Sequence, residues 1–181
     1  MTIQISKKFY GFFDPLPTRK AKPTAIIIHH SCTSTPEKTR KELKKKGYST
    51  HFEVDTDGTI YQYVDVMKIA SHCKGVNSHV IGIDATHVKD APFPDVQINA
   101  LNELVTWLCS EWNIEQVVHS EIKGIWPHRA LGDTVCPQAL PMERLGVTEL
   151  ETIEAIRALF TEAIKEGKRG QLEKLIADFG L

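Results

Sequence analysis

His128 and Cys136 stand eight residues apart across a loop that contains Gly132. A histidine and a cysteine at that spacing can turn back onto one metal ion. Neutral imidazole and thiolate together suit zinc, and a catalytic zinc keeps three protein ligands and leaves a fourth position for water. The third ligand has to come from elsewhere in the chain. His29 is the candidate, because it closes the apolar run Ala25-Ile26-Ile27-Ile28, and the C-terminal ends of strands are where α/β folds commonly build sites. Asp84 closes a similar run, Val80-Ile81-Gly82-Ile83, and His119 closes Gln116-Val117-Val118. His119 therefore competes with His128 for the second ligand position. A purely structural zinc site would bring a fourth Cys or His and tighter Cys-x-x-Cys pairs, and neither appears.

These side chains need elements to hold them. A continuous β-branched run at 25–29 reads as a strand covered on both faces, which sends His30 to the face opposite His29. His51–Val54 and Thr59–Val64 read as strands joined by Asp55-Thr56-Asp57-Gly58, and Asp-Gly between such runs signals a hairpin. Val80–Asp84 is a further short strand. Pro36–Lys46 is predicted as a helix, with proline in its first turn and Gly47 as its stop. Its basic residues make either a solvated face or a wall beside an anionic polymer. Asp95–Trp112 is a helix whose apolar positions Ile98, Leu101, Leu104, Val105 and Leu108 share one face. Gln116–His119 reads as a strand and 120–141 as a loop. Thr148–Glu166 reads as a second long helix, with Thr148 and Glu151 as a capping box. A short helix through Leu172, Leu175, Ile176 and Phe179 follows Gly167 and Gly170.

Strands mixed with helices predict an α/β single domain, a central mixed β-sheet flanked by helices, with a C-terminal helical extension. Residues 1–23, with Pro15, Pro17 and Pro23, form a lead-in. Residues 24–145 form the site-bearing domain. Residues 146–181 form helices packed on that same domain: the apolar stripe from Leu150 to Ile164 suits packing on the sheet, and the segment after Gly167, roughly 15 residues, is too short to build its own core.

Composition narrows the classes. A chain of 181 residues fits one domain with a core that needs no disulfides. Four cysteines are no disulfide framework, so Cys32, Cys73 and Cys109 are expected as free thiols. Lys+Arg of 22 against Asp+Glu of 23 argues against a general nucleic-acid binder. No apolar run approaches the ~20 residues of a membrane span. The start MTIQISKKFYGFF lacks the features of a signal peptide. The expectation is a monomer made in the cytoplasm without a signal peptide.

Several segments together carry a family resemblance. Ile26-Ile27-Ile28-His29-His30-Ser31, Ser49-Thr50-His51-Phe52-Glu53-Val54 with Asp57-Gly58-Thr59-Ile60-Tyr61, Ala70-Ser71-His72 with Asn77, Ile81-Gly82-Ile83-Asp84, and His128-Arg129 with Thr134-Val135-Cys136-Pro137 occur in this order. In that order they resemble the zinc-dependent N-acetylmuramoyl-L-alanine amidases of the phage lysozyme-like and peptidoglycan-recognition-protein type. The resemblance implies Zn²⁺ held by His29, His128 and Cys136, and hydrolysis of the lactyl amide between N-acetylmuramic acid and L-alanine. It places Thr134 near the scissile carbonyl and His72 in the substrate-cleft loop. Asp84 sits where some members carry a glutamate that helps activate water.

Two departures matter. Thr50 stands where many members have tyrosine, which moves the acid–base role toward Asp84, with His72 as the other candidate. Gln138 follows Pro137 where glycine is usual, which alters the loop but not the ligand set. His51 is read as a packing residue or a donor to a neighbour, and His79 and His87 carry no signal. The implied partner is peptidoglycan or a muropeptide, met at the cell wall after release or in the cytosol. The alternative is a non-catalytic peptidoglycan-recognition domain that retains zinc.

Overall fold

The three isoleucines Ile26, Ile27 and Ile28 have no exposed surface, so their strand has to be covered on both faces. That strand, β1 (Ala25–His30), is the second from one edge of a five-stranded sheet. The computed structural model describes residues 3–88, 90–116 and 122–146. Along the chain β1 is followed by α1 (Pro36–Lys45), β2 (Phe52–Val54), β3 (Ile60–Gln62), β4 (Val80–Ala85), α2 (Asp95–Trp112) and β5 (Gly124–Pro127). The sheet order is β3-β2-β4-β1-β5. β3 runs antiparallel to β2, and the other neighbours are parallel. The sheet is therefore mixed, as expected for an α/β domain.

Local sequence accounts for most of these elements. Thr35 caps α1 by accepting from the Lys38 N–H at 3.3 Å, with Pro36 in the first turn; proline there gives up an N–H that has no helical partner anyway. α2 spans the predicted residues and buries Ile98, Leu101, Leu104, Val105 and Leu108. It ends at Asn113 in the left-handed conformation. The hairpin is shorter than the apolar pattern suggests, since His51 and Tyr63 lie just outside β2 and β3.

One expectation is overturned. Residues 124–127 were read as part of a loop, but they form β5, paired parallel to β1 with Ile125 opposite Ile26. Four residues bounded by Gly124 and Pro127 look like turn punctuation. Pro127 is tolerated because β5 is an edge strand of the sheet. Of the predicted strand Gln116–His119, only Gln116 is described, and it lies in a bend. His119 and the predicted helices over Thr148–Glu166 and Leu172–Phe179 lie outside the described residues.

The lead-in is packed rather than loose. Ser6 bridges Tyr61, and Phe13 joins a small core with Tyr63, Val64 and Ala70. Arg19 is buried, and its guanidinium donates to the carbonyls of Lys68 (2.9 Å) and Val80 (3.0 Å). No described helix is long and apolar enough to cross a membrane.

Candidate metal centre and cleft

Strand parity brings the ionisable residues into one row. Asp84 pairs in register with His29 on one side and with Glu53 on the other, so all three project from the same face of the sheet. Ile28 pairs with Pro127, which puts His128 next in the row. His30 points the other way, where its ring meets His87 at 5.7 Å.

The loop from His128 to Cys136 closes on itself. The Arg129 N–H donates to the Cys136 carbonyl at 2.6 Å, and the Gly132 N–H donates to the His128 carbonyl at 3.1 Å. This local closure is what the eight-residue spacing requires. Ligand atoms of His29, His128 and Cys136 lie within 4.8 Å of one another. Cys136 Sγ is 3.8 Å from His29 Nδ1 and accepts from the His30 N–H at 3.2 Å. Burial first, then the neighbouring His128 and His30, holds the His29 imidazole well below its usual pKa. Burial also lowers His128 and pushes the Cys136 thiol up. Two neutral imidazoles and a buried thiol with an N–H aimed at its sulfur fit a zinc ion, whose charge would favour the thiolate.

A cleft of about 750 Å³ opens over this row, lined by His29, His72, Asp84, His128, Thr134 and Cys136. These six side chains, each picked out from sequence as a ligand or reacting group, therefore line one cavity, while the competing candidate His119 lies outside the described residues. His72 Nδ1 lies 3.0 Å from His29 Nε2, so His72 is the hydrogen-bond partner of a candidate ligand. With a metal on His29 Nδ1, Nε2 would carry the proton and donate to His72 Nδ1, which would fix the tautomer and the ring orientation. Asp84 is buried, and burial raises its carboxyl to about 7, opposed by a hydrogen bond from Thr50. Thr50 has no exposed surface and its hydroxyl also reaches the Phe52 carbonyl at 3.4 Å; it supports Asp84 and does not face substrate. The Thr134 hydroxyl accepts from the Cys136 N–H at 3.1 Å, which leaves its own proton to donate.

Several contributors are invisible in local sequence. Gly82 lies under His72: a Cβ there would sit 2.8 Å from three atoms of the imidazole. Gly82→Ala should lower the melting temperature by an amount equivalent to roughly 1–3 kcal/mol. It should also weaken zinc binding by displacing His72. Unchanged melting and metal content would show that the His72 ring is not seated there. His51 Nδ1 accepts from the Gly82 N–H at 2.9 Å, so its protonated Nε2 serves the Lys68 carbonyl at 3.1 Å. Tyr48, 55% exposed, is a phenol on the cleft wall.

Glu53 is the largest surprise. It is fully buried, Thr39 and Thr86 hydroxyls donate to Oε1 at 2.6 and 2.7 Å, and the Tyr63 hydroxyl donates to Oε2. Burial, and then the neighbouring Asp84, raises its carboxyl from 4.5 to about 7 despite those donors. Between those two pH values the folded chain keeps a proton that the unfolded chain has released. Stability therefore falls as pH rises through this window and levels off above it. Glu53→Gln should flatten that part of the stability–pH curve, a change on the order of 1–3 kcal/mol. Chemical denaturation at several pH values checks this, and an unaltered curve would contradict it.

The sequence profile of the N-acetylmuramoyl-L-alanine amidase family matches residues 19–139, about two thirds of the chain. The chain belongs to this family. This is a family of hydrolases acting on peptidoglycan, and the match begins at Arg19, inside what sequence reading assigned to the lead-in. The endolysin of Escherichia phage T7 is 30% identical over 102 residues, 49% of this chain and 68% of that protein. A Rickettsia conorii protein described as a putative N-acetylmuramoyl-L-alanine amidase is 30% identical over 93 residues, 46% of this chain. This amidase chain spans 35% of that relative's length. Among solved structures, the amidase LysC from Clostridium intestinale superposes with a TM-score of 0.67 at 27% identity, covering 80% of this chain and 95% of that one. A bumblebee peptidoglycan recognition protein shares the fold, with a TM-score of 0.62 at 18% identity, covering 83% of this chain and 97% of its own.

Proposed function

We propose that the protein is a zinc-dependent amidase that cuts the lactyl amide between N-acetylmuramic acid and L-alanine. The observation that carries this reading is the meeting of His29, His128, Cys136, Asp84, Thr134 and His72 in one cleft. Zn²⁺, held by His29, His128 and Cys136, would supply carbonyl polarisation and a water of lowered pKa. Asp84 takes a proton from the attacking water and passes it to the leaving amine of L-alanine. The Thr134 hydroxyl donates to the carbonyl oxygen as negative charge develops there. His72 Nδ1 accepts from the His29 Nε2–H and so holds that ring, and the His30 N–H steadies the Cys136 sulfur. Residues 24–145 act as the catalytic unit, working as a monomer on peptidoglycan or muropeptides.

Mass spectrometry of peptidoglycan digested by the zinc-loaded protein tests the reading. The expected products are stem peptides with a free L-alanine amino group and glycan with intact glycosidic bonds. Cleavage elsewhere in the peptide would overturn it. Wall binding without any new amino group would favour a recognition domain instead.

A further inference from the structure

The charge of this chain is unevenly distributed. Residues 1–50 carry eleven Lys and Arg against three Asp and Glu, and residues 51–181 carry eleven against twenty. The first segment is thus +8 and the second −9, hidden inside a net charge of −1. α1 concentrates the positive part, and its basic residues have different tasks. Arg40 lies over the rings of Phe9 and Phe12 at 4.4 and 4.5 Å, and Lys44 over Phe12 at 4.5 Å. Those two fasten the helix to the lead-in. Lys38, Lys41 and Lys45 lie on the opposite side from the buried Pro36 and Thr39, and all three are exposed. At 1.5 Å rise per residue they span about 10 Å along the helix. Among the described residues α1 makes its ion pair through Glu37, with Lys8, and none of these three ammonium groups meets a carboxylate.

Beside this stripe runs a second groove, of about 550 Å³, lined by Lys38 and Lys41 together with Glu42, Cys32 and Val88. Cys32 also lines the metal cleft, so the two depressions adjoin. We propose that Lys38, Lys41 and Lys45, with this groove, form a binding surface for a phosphodiester polymer strand attached to the wall glycan, distinct from the amide site. The assignment rests on the amidase reading only in taking the wall as the setting. Repeated phosphates at intervals match spaced ammonium point charges. The outward stripe holds no apolar side chain, and the groove offers one exposed aliphatic side chain, Val88, too little to enter a lipid surface. The acidic remainder of the molecule repels a long polyanion that would wrap it, so a strand presented locally fits best.

Sedimentation binding of the zinc-loaded full chain to purified walls, with and without their phosphodiester polymer, tests this. The polymer-bearing walls should be preferred. That preference should fall about twentyfold between ~50 and ~200 mM salt, as expected when three cations displace counterions from a flexible polyanion. The triple variant Lys38→Gln/Lys41→Gln/Lys45→Gln should lose the preference, while the Lys→Arg triple variant keeps it. Hydrolysis of a small soluble muropeptide should be the same in all three proteins. Full preference in the Gln variant would overturn the proposal. So would equal binding of the wild type to anionic vesicles or nucleic acid, or parallel loss of muropeptide hydrolysis. If the Gln triple variant fails to fold, Lys41→Gln alone must show a reduced preference, and no reduction counts against the surface. A wild type that prefers the polymer yet cuts no muropeptide would sink the amidase reading and leave the surface standing.

Discussion

Cys136→Ser should strip the protein of zinc and abolish hydrolysis. Serine keeps the size of the side chain but replaces a thiolate by a hydroxyl that stays protonated near neutral pH, and zinc binds it poorly. The loss should exceed the ~10–100-fold in affinity that follows removal of an outer hydrogen-bond partner. His72→Ala, which removes such a partner from His29, should fall in that smaller range. Metal content by elemental analysis, with the melting temperature in the presence and absence of zinc, separates the two effects. Full zinc occupancy and a wild-type rate in Cys136→Ser would remove this residue from the centre. The choice between His128 and His119 is settled by the same measurement. His128→Ala should lose zinc and His119→Ala should keep it, and the reverse pattern would reassign the ligand.

Asp84→Asn should bind zinc normally yet hydrolyse muropeptides about 10²-fold more slowly, the effect expected when a general base is lost. The pH dependence gives a sharper test. Burial lifts the Asp84 carboxyl to about 7, so the base form, and with it the rate, should rise as pH passes through that value. In Asp84→Asn this limb should disappear. Thr50→Val removes the hydrogen bond that opposes the upward shift, so the limb should move to higher pH with the maximal rate retained. A near-normal rate and an unchanged profile in Asp84→Asn would transfer the proton role to His72.

Neighbouring residues alone specify much of this molecule. α2 could be read from its apolar positions because a 3.6-residue period is a property of the segment itself. β1 could be read from an unbroken β-branched run. β5 could not, because four residues between a glycine and a proline contain no period, and only pairing with β1 makes them a strand. The His128–Cys136 spacing was informative because the loop closes through its own backbone, from the Arg129 N–H to the Cys136 carbonyl. Side-chain alternation sufficed to separate His29 from His30.

Long-range register decided the rest. Nothing near Glu53 in sequence announces a buried carboxyl, because its donors come from α1 and from the residues just after β3 and β4. His72 meets His29 across 43 residues, and Gly82 makes room for it only because β4 lies beside β1. Thr50 and Asp84 likewise meet only through the fold. Local sequence determined which residues could do the chemistry, because helix periods, strand alternation and short loops are set within a few residues. The tertiary structure decided what surrounds them, because contacts between distant strands depend on pairing and on the helix laid across them, which short-range pattern does not encode.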